Sequence, residues 1–181
     1  MSKFQLRKKI SKIRSKFAKK KITVNPEAII KFIEQKSPSK RVGLYYPFGD
    51  ELSTLELMNR LIKKKFIISL PIINNNKFEM SFYRWSFNEP LTINRFGILE
   101  PFKGKKITPS TLIIPMIAFD SNLNRLGYGG GFYDRFIQKI EKQNNCVKIG
   151  LALSFQKINK VPVDKYDKKM DFIITEKRIY K

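Results

Sequence analysis

The chain contains no histidine. That absence removes the imidazole base on which Ser–His–Asp and Cys–His nucleophilic centres depend, and a common ligand of zinc sites. Cysteine is nearly absent as well. Cys146 stands alone, so no disulfide can form within the chain, which fits a reducing compartment. No activating group neighbours it in sequence, and an inert thiol is expected. Long apolar runs are also missing. The longest, residues 112–119, spans eight positions with a proline inside it, far short of the about 20 residues a spanning helix needs. Positive charge at the N-terminus is not followed by an apolar segment, so no secretory leader is expected and a cytoplasmic location is.

Acidic residues are scarce, 15 against 37 basic ones, for a formal charge of +22. Such a charge raises nucleic-acid binding as a function. The composition offers a plainer cause: the chain is rich in Lys, Asn, Ile and Phe, a bias that A/T-rich coding produces without selection for charge. Lys also outnumbers Arg, whereas base readout leans on Arg. An anionic small ligand is a third source of basic residues. The side chains left for chemistry are carboxylates, Lys, Arg and Tyr, together with backbone N–H groups and a nucleotide-bound metal. That set suits phosphoryl transfer, where positioning and charge neutralisation do most of the work.

With 181 residues and 42% apolar content, the chain is expected to form one domain over 1–181 with a full core. Residues 1–21 carry ten basic and no acidic residues. Leu6, Ile10, Ile13 and Phe17 recur there at helical spacing, giving a basic amphipathic helix docked by its apolar stripe; a membrane-surface or transit segment is the alternative. Asn25-Pro26-Glu27 is a helix start signal, and that helix ends at Ser37-Pro38. Strands are expected at 41–46, 66–70 (closed by Pro71), 78–85, 111–114, 147–153 and 172–175, with a turn at 74–76. Helices are expected from a Ser53 or Thr54 cap and over 132–142. Residues 86–110 are an irregular connection, and long connections of this kind are usually functional or mobile. Strands alternating with helices predict an α/β domain with a largely parallel sheet.

Four of the nine glycines fall within positions 127–131, between Arg125 and Asp134-Arg135. The order strand, glycine loop, helix places free N–H groups and a positive helix end at a sheet edge, where phosphate binds well. The spacing is neither the Walker pattern nor the dinucleotide fingerprint, so a loop that merely crosses another segment closely stays open beside a phosphate nest. Asp134 falls in the first turn of the following helix. It either complements the dipole or helps hold Mg²⁺ beside a bound phosphate chain. Arg125 and Arg135 are candidate phosphate ligands or surface ion pairs. Asp50, Glu51 and Glu56 follow a strand end, on the rim where parallel sheets bind ligands; for Glu56, helix-start acidity suffices. Asp120, Asp167 and Asp171 have no decisive local pattern.

In ordered blocks the chain resembles the 5-formyltetrahydrofolate cyclo-ligase family. The blocks are K-F-Q-L-R-K-K-I at 3–10, D-E-L-S-T at 50–54, G-I-L-E-P at 97–101, I-I-P-M-I-A-F-D at 113–120, R-L-G-Y-G-G-G-F-Y-D-R at 125–135, V-P-V-D at 161–164 and D-F-I-I-T-E at 171–176. The resemblance implies a three-layer α/β/α sandwich. It also implies an ATP- and Mg²⁺-dependent conversion of 5-formyltetrahydrofolate to 5,10-methenyltetrahydrofolate, with ADP and phosphate released. By the same resemblance Lys3, Arg7, Arg125, Gly127, Gly129, Gly130, Gly131 and Phe132 surround ATP, and Asp134 is metal-associated. Tyr133 and Arg125 lie near the reacting groups. Glu51 bonds the pterin ring, and Met80, Tyr83 and Trp85 wall the folate pocket. Phe132 stands where the family commonly has Tyr, and Tyr166 where many members have His. The expected partner is a reduced folate, with neither nucleic acid nor membrane, in a monomer or weak homodimer. A non-catalytic nucleic-acid module is the alternative, and its binding would weaken steeply with salt. A sugar-phosphate or acyl-CoA enzyme on a similar scaffold would lack the ATP requirement.

Overall fold

The computed structural model describes residues 1–18, 22–74, 78–141 and 145–181. Helices α1 (Lys3–Ala18) and α2 (Pro26–Lys36) precede strand β1 (Arg41–Gly43), and α3 (Leu55–Lys63) follows it. Next come β2 (Ile67–Asn74), β3 (Glu79–Arg84), and two short strands β4 (Leu91–Ile93) and β5 (Leu99–Pro101). The chain continues with β6 (Thr111–Pro115), β7 (Ala118–Phe119), β8 (Arg125–Leu126), α4 (Phe132–Glu141) and β9 (Val147–Leu151). A 3₁₀ turn at Ser154–Gln156, β10 (Phe172–Ile174) and β11 (Ile179–Tyr180) complete it.

Among the described residues seven strands form one sheet in the order β11-β10-β9-β6-β1-β2-β3. The five inner strands run parallel and the two edge strands antiparallel. All five residues of β6 are buried, as expected for a strand covered on both faces. Its alternation divides the core. Ile113 joins the cluster under α2 and α3, while Leu112 and Ile114 join the one under α4. Helices therefore cover both faces, and the three-layer expectation holds. From β1 the chain steps outward through α3 to β2, then returns to β6 and steps the other way through α4 to β9. A reversal of this kind opens a crevice outside the carboxyl ends of β1 and β6.

Local chemistry explains the boundaries. Asn25 caps α2, its side chain accepting from Glu27 N–H at 2.9 Å, with Pro26 at the first helical position. Thr54 starts α3 without capping it. Its hydroxyl instead donates to Tyr45 O at 2.7 Å, pinning the helix start to the end of β1. Strand β2 runs through Pro71, against expectation. Phe82, opposite Pro71, gives its carbonyl to Ile107 N–H on the outer side of β3, so the Pro71 nitrogen points away from β3. The last β1 partner of β2 is Ser69, and no ladder bond is lost at the proline. The turn expected at 74–76 and residues 19–21 of the N-terminal helix lie partly or wholly outside the described residues, as does Lys142.

Two short hairpins depart from the sequence expectation, while the docking of α1 follows it. The 86–110 connection carries the β4–β5 hairpin, in which Leu91 faces Pro101 and Ile93 faces Leu99. Its tip is organised by Asn94, whose Oδ1 accepts from Phe96 and Ile98 N–H at 2.9 and 3.1 Å. The β7–β8 hairpin stands between β6 and the glycine loop, so the strand feeding the loop belongs to a ribbon and not to the main sheet. Asp120 closes that ribbon, accepting from Asn122, Asn124 and Val161 N–H. Burial opposes its ionisation, but bonds from Asn124 and these N–H groups hold its carboxyl below the ordinary range. Helix α1 docks Ile10, with Leu6 and Ile13, on Ile117, Ala118, Leu126 and Val161. Its apolar stripe is thus spent on the fold.

Candidate active site

A cleft of about 530 Å³ opens at the carboxyl ends of β1 and β6. Its lining comes from the start of α1, the connection from β1 to α3, facing residues of β2 and β3, the end of β6, the β4–β5 hairpin, the glycine loop with the first turn of α4, and the segment carrying Asp164 and Asp167. Lys3, Arg7, Glu51, Met80, Arg125, Gly127, Gly129, Gly130, Gly131, Phe132, Tyr133 and Asp134 all line it. The sequence blocks thus converge on one cavity from positions far apart in the chain.

The loop at 127–131 is a backbone cradle. Gly129 has φ +107°, and a Cβ there would lie 3.3 Å from the Arg7 guanidinium carbon. Gly131 has φ +65°, with a would-be Cβ 2.8 Å from an Arg135 nitrogen. A side chain at either position would be strained by conformation and would push an arginine head group aside. Arg7 braces the loop, its Nε donating to Gly127 O at 2.8 Å. Helix α4 follows immediately, and its early bond from Arg135 N–H to Gly131 O leaves the preceding N–H groups without intrahelical acceptors. Arg135 itself is structural: it donates to Phe78 O and Gly130 O at 2.9 and 2.8 Å and stacks over the Phe132 ring.

Arg125 and Asp134 form a buried ion pair at 2.9 Å, their side chains 6% and 16% exposed. Asp134 Oδ1 also accepts from Lys168 N–H at 3.0 Å. Both bonds fall on Oδ1, so Oδ2 has no donor among the described residues. Arg125 Nε is buried and likewise has no acceptor, leaving a charged donor at the cleft wall. Lys3 Nζ meets Asp164 and Asp167, each at 2.6 Å. Burial works against the charge on both Lys3 and Asp167, but other contacts together outweigh it. The bonds and charges of Asp164 and Asp167 hold the lysine above its ordinary value. Bonds from Lys3 and Asp164 N–H, with the Lys3 and Arg125 charges, hold Asp167 below its own. One end of the cleft therefore sets three cations, Lys3, Arg7 and Arg125, against three carboxylates, Asp134, Asp164 and Asp167.

Glu51 lies along the cleft from this cluster. It accepts from Phe48 N–H at 3.0 Å, and burial raises its carboxyl above the usual range. Tyr133 stands between Glu51 and Arg125. Its hydroxyl is buried without a hydrogen-bond partner, and burial, then the Glu51 charge, push its titration far above the ordinary tyrosine value. It is therefore a neutral O–H donor and not a base. Much of the remaining wall is apolar, with Asn94 and Glu100 also lining it. Met80, Ile73, Phe48, Phe96, Ile98 and Phe132 supply the apolar part, Phe96 meeting Phe132 edge-on at 6.1 Å between centroids.

Two expected folate contacts are elsewhere. Met80 faces the α4 side of β3, whereas Tyr83, at odd spacing from it, points to the opposite face, as period two requires. Trp85, just beyond β3, is 4% exposed in the core under α2 and α3, donates to Glu89 O at 3.1 Å and packs on Tyr46 and Phe87. Neither lines the cleft. Phe96 supplies the aromatic wall instead, from within the connection expected to be functional or mobile and one residue before the G-I-L-E-P block. Phe48, Tyr128 and Asp164 also line the cleft, although no sequence signal marks them individually. Tyr166 is 65% exposed and outside it, while Asp167 lies within. Glu56 is bonded to Arg60 at 2.6 Å on the helix surface, and Asp171 pairs with Lys148. Burial pushes the Cys146 thiol up to about 12, in keeping with the inert reading.

The geometry suits a polyphosphate next to a flat, donor-bearing ring. The cradle and the unpaired Arg125 Nε offer donors that would suit anionic oxygens, and Glu51 offers an acceptor that would suit N–H donors. Among the described residues no three His, Cys, Asp or Glu side chains are grouped to enclose an ion. A cation here would lean on phosphate oxygens and water, as Mg²⁺ commonly does, with Asp134 Oδ2 one protein oxygen free to join.

Comparison with known proteins identifies relatives over most of the chain. Residues 1–176 match the model of the 5-formyltetrahydrofolate cyclo-ligase family. The 5-formyltetrahydrofolate cyclo-ligase of Haemophilus influenzae is 32% identical over 176 residues, covering 90% of this chain and 91% of the relative. The enzyme of the same name from Escherichia coli is 29% identical over 145 residues, 77% of this chain and 79% of the relative. The solution structure of Aquifex aeolicus 5,10-methenyltetrahydrofolate synthetase superposes with a TM-score of 0.78 at 31% identity, covering 99% of this chain and 92% of that one. A match over nearly the whole length, in sequence and in fold, places the chain in the 5-formyltetrahydrofolate cyclo-ligase family.

Proposed function

We propose that the protein catalyses the ATP-dependent closure of 5-formyltetrahydrofolate to 5,10-methenyltetrahydrofolate, releasing ADP and phosphate. The observation that carries this reading is the convergence, in one cleft, of the glycine cradle, the cations Lys3, Arg7 and Arg125, and the carboxylate of Glu51. A phosphate chain and a pterin ring would thereby meet near Tyr133.

The chemical problem is a poor leaving group. The formyl oxygen of an N-formyl amine departs only once activated, and phosphorylation provides the activation. In the proposed sequence the formyl oxygen attacks the γ-phosphorus and the bond to ADP breaks. N10 then attacks the formyl carbon and loses its proton, and the C–O bond breaks with the oxygen leaving as phosphate. The protein's part is positioning and charge neutralisation. The N–H groups at 127–131 and the start of α4, with Lys3, Arg7 and Arg125, hold phosphate oxygens. Glu51 accepts from the pterin's amino and ring N–H donors. The Tyr133 hydroxyl, neutral and otherwise unpaired, donates to oxygen charge developing between the two substrates. Met80, Phe48, Phe96 and Phe132 exclude water from the apolar body of the folate. Mg²⁺, when bound, would neutralise phosphate charge, with Asp134 as its protein ligand. A cytoplasmic location and a monomeric or weakly dimeric state belong to the same proposal.

The test is an omission assay that follows the absorbance of the conjugated methenyl product. Absorbance should rise with ATP, Mg²⁺ and 5-formyltetrahydrofolate together and stay flat when any one is left out. A rise without ATP, or none with all three, would rule the proposal out.

A further inference from the structure

Arg95 takes no part in the chemistry proposed above. It sits at the tip of the β4–β5 hairpin, and its guanidinium lies 4.8 Å from the centroid of the Phe96 ring. Phe96 lines the cleft and is 43% exposed. Arg95 is exposed and is not part of the lining. The pair therefore spans the rim, with an aromatic ring on the cleft side and a cation on the solvent side.

The backbone that presents this pair is pinned. Asn94 O accepts from Gly97 N–H at 2.9 Å, and Asn94 N–H donates to Ile98 O at 3.0 Å. The Asn94 side-chain amide donates to Glu100 at 3.1 Å. The same carboxylate oxygen accepts from Ile73 N–H at 3.3 Å, tying the tip to β2. The Arg95 head group, by contrast, is unspent. Arg7, Arg125 and Arg135 each donate to a protein acceptor. Among the described residues Arg95 has neither a carboxylate nor a hydrogen-bond acceptor, and the Phe96 ring is its partner.

We propose that Arg95 recognises the anionic end of the folate, the two carboxylates of its glutamate; the inference rests on the functional reading above. The substrate has three parts in series: a pterin with N–H donors, an aminobenzoyl ring, then glutamate. With the pterin edge on Glu51 and N10 beside the phosphate cradle, the benzoyl ring leaves along the apolar wall that Phe96 supplies. The glutamate that follows emerges at the rim, where Arg95 stands. A guanidinium meets a carboxylate through two parallel N–H bonds. The ring beneath holds its plane, so little side-chain freedom is lost on binding. This contact is remote from the formyl group and equal in ground and transition states, so it lowers KM and leaves kcat alone. An exposed ion pair of this kind supports an effect of about fivefold.

The experiment is steady-state kinetics of the full chain with two substrates at low salt. One is 5-formyltetrahydrofolate; the other is its diamide, with both glutamate carboxylates amidated and the pterin, formyl group and N10 unchanged. Wild type should show a KM about fivefold lower for the acid than for the diamide, at equal kcat. Arg95→Met should raise the KM for the acid to that of the diamide and leave the diamide unaffected. Arg95→Lys should keep part of the preference. Equal KM values in wild type, or a preference undiminished in Arg95→Met, would overturn the assignment. A KM raised equally for both substrates would overturn it too, since that marks a merely structural arginine. Wild type that closes neither compound would bring down the functional reading, and the assignment with it.

Discussion

Arg125 Nη2 donates to Asp134 Oδ1 at 2.9 Å across the start of α4, with both side chains largely buried. The pair ties the strand before the glycine loop to the helix after it and so sets the span of the cradle. Asp134→Asn keeps an acceptor for the arginine but removes the charge. The folded state should lose about 1–3 kcal/mol, the range for weakening a buried, hydrogen-bonded pair. Turnover should fall by about a hundredfold or more, because the oxygen proposed to hold the metal becomes an amide nitrogen and Arg125 loses a charged partner. Chemical denaturation and product absorbance, measured on the same preparation, separate the two effects. Near-wild-type turnover in a well-folded variant would remove Asp134 from the site.

Gly129 tests the cradle itself. Its φ is +107°, and a methyl group on its Cα would stand 3.3 Å from the Arg7 guanidinium carbon. Gly129→Ala should therefore cost about 1–2 kcal/mol in backbone strain. It should also displace Arg7 and turn loop N–H groups away from phosphate. The expected kinetic signature is a KM for ATP raised about tenfold or more, with the KM for the folate changed less. An unchanged KM for ATP would mean that the loop is only a close crossing of chain segments.

Glu51 carries a pH dependence with a definite sign. Burial raises its folded-state titration above the ordinary carboxylate value of 4.5, so the folded state holds a proton that the unfolded state has released. Stability is then lost as pH rises from that ordinary value through the raised one. Glu51→Gln removes the loss: the variant should melt higher than wild type at neutral pH and no higher below the ordinary carboxylate range. Its KM for the folate should rise about tenfold to a hundredfold, the loss expected when a charged hydrogen-bond acceptor becomes a neutral amide. Thermal melts across pH give the first result and steady-state kinetics the second. A variant destabilised at neutral pH would show that the Glu51 charge stabilises the fold.

The parts of this structure legible from sequence are those set by short-range chemistry. Asn25-Pro26 marks α2 because the cap and the fixed proline φ act within a few residues. The apolar runs mark β2, β6 and β9 because buried parallel strands need apolar residues on both faces. Clustered glycines beside Asp134 mark a loop that lines the cleft, because several of its positions take backbone angles or approaches that side chains rarely adopt. What escaped depends on tertiary context. Strands β7, β8 and β11 have two residues each and are made by pairing, not by propensity. Pro71 sits mid-strand because its neighbour β1 ends early. The assignment of Tyr83 and Trp85 to the folate wall fails on strand parity, since Met80 lies on the other face. Phe96 was hidden in a connection without periodicity, and only the hairpin built on Asn94 carries its ring to the cleft.

In the proposed mechanism the folate's formyl oxygen is phosphorylated in this cleft and leaves with the phosphate. The direct measurement is a single-turnover reaction with ATP and 5-formyltetrahydrofolate labelled with ¹⁸O in the formyl group, followed by mass analysis of the released phosphate. One labelled oxygen should appear in each phosphate, with none when ATP is withheld. Unlabelled phosphate formed alongside the methenyl product would be incompatible with this mechanism, since the oxygen would then have left as water and ATP hydrolysis would be separate from ring closure.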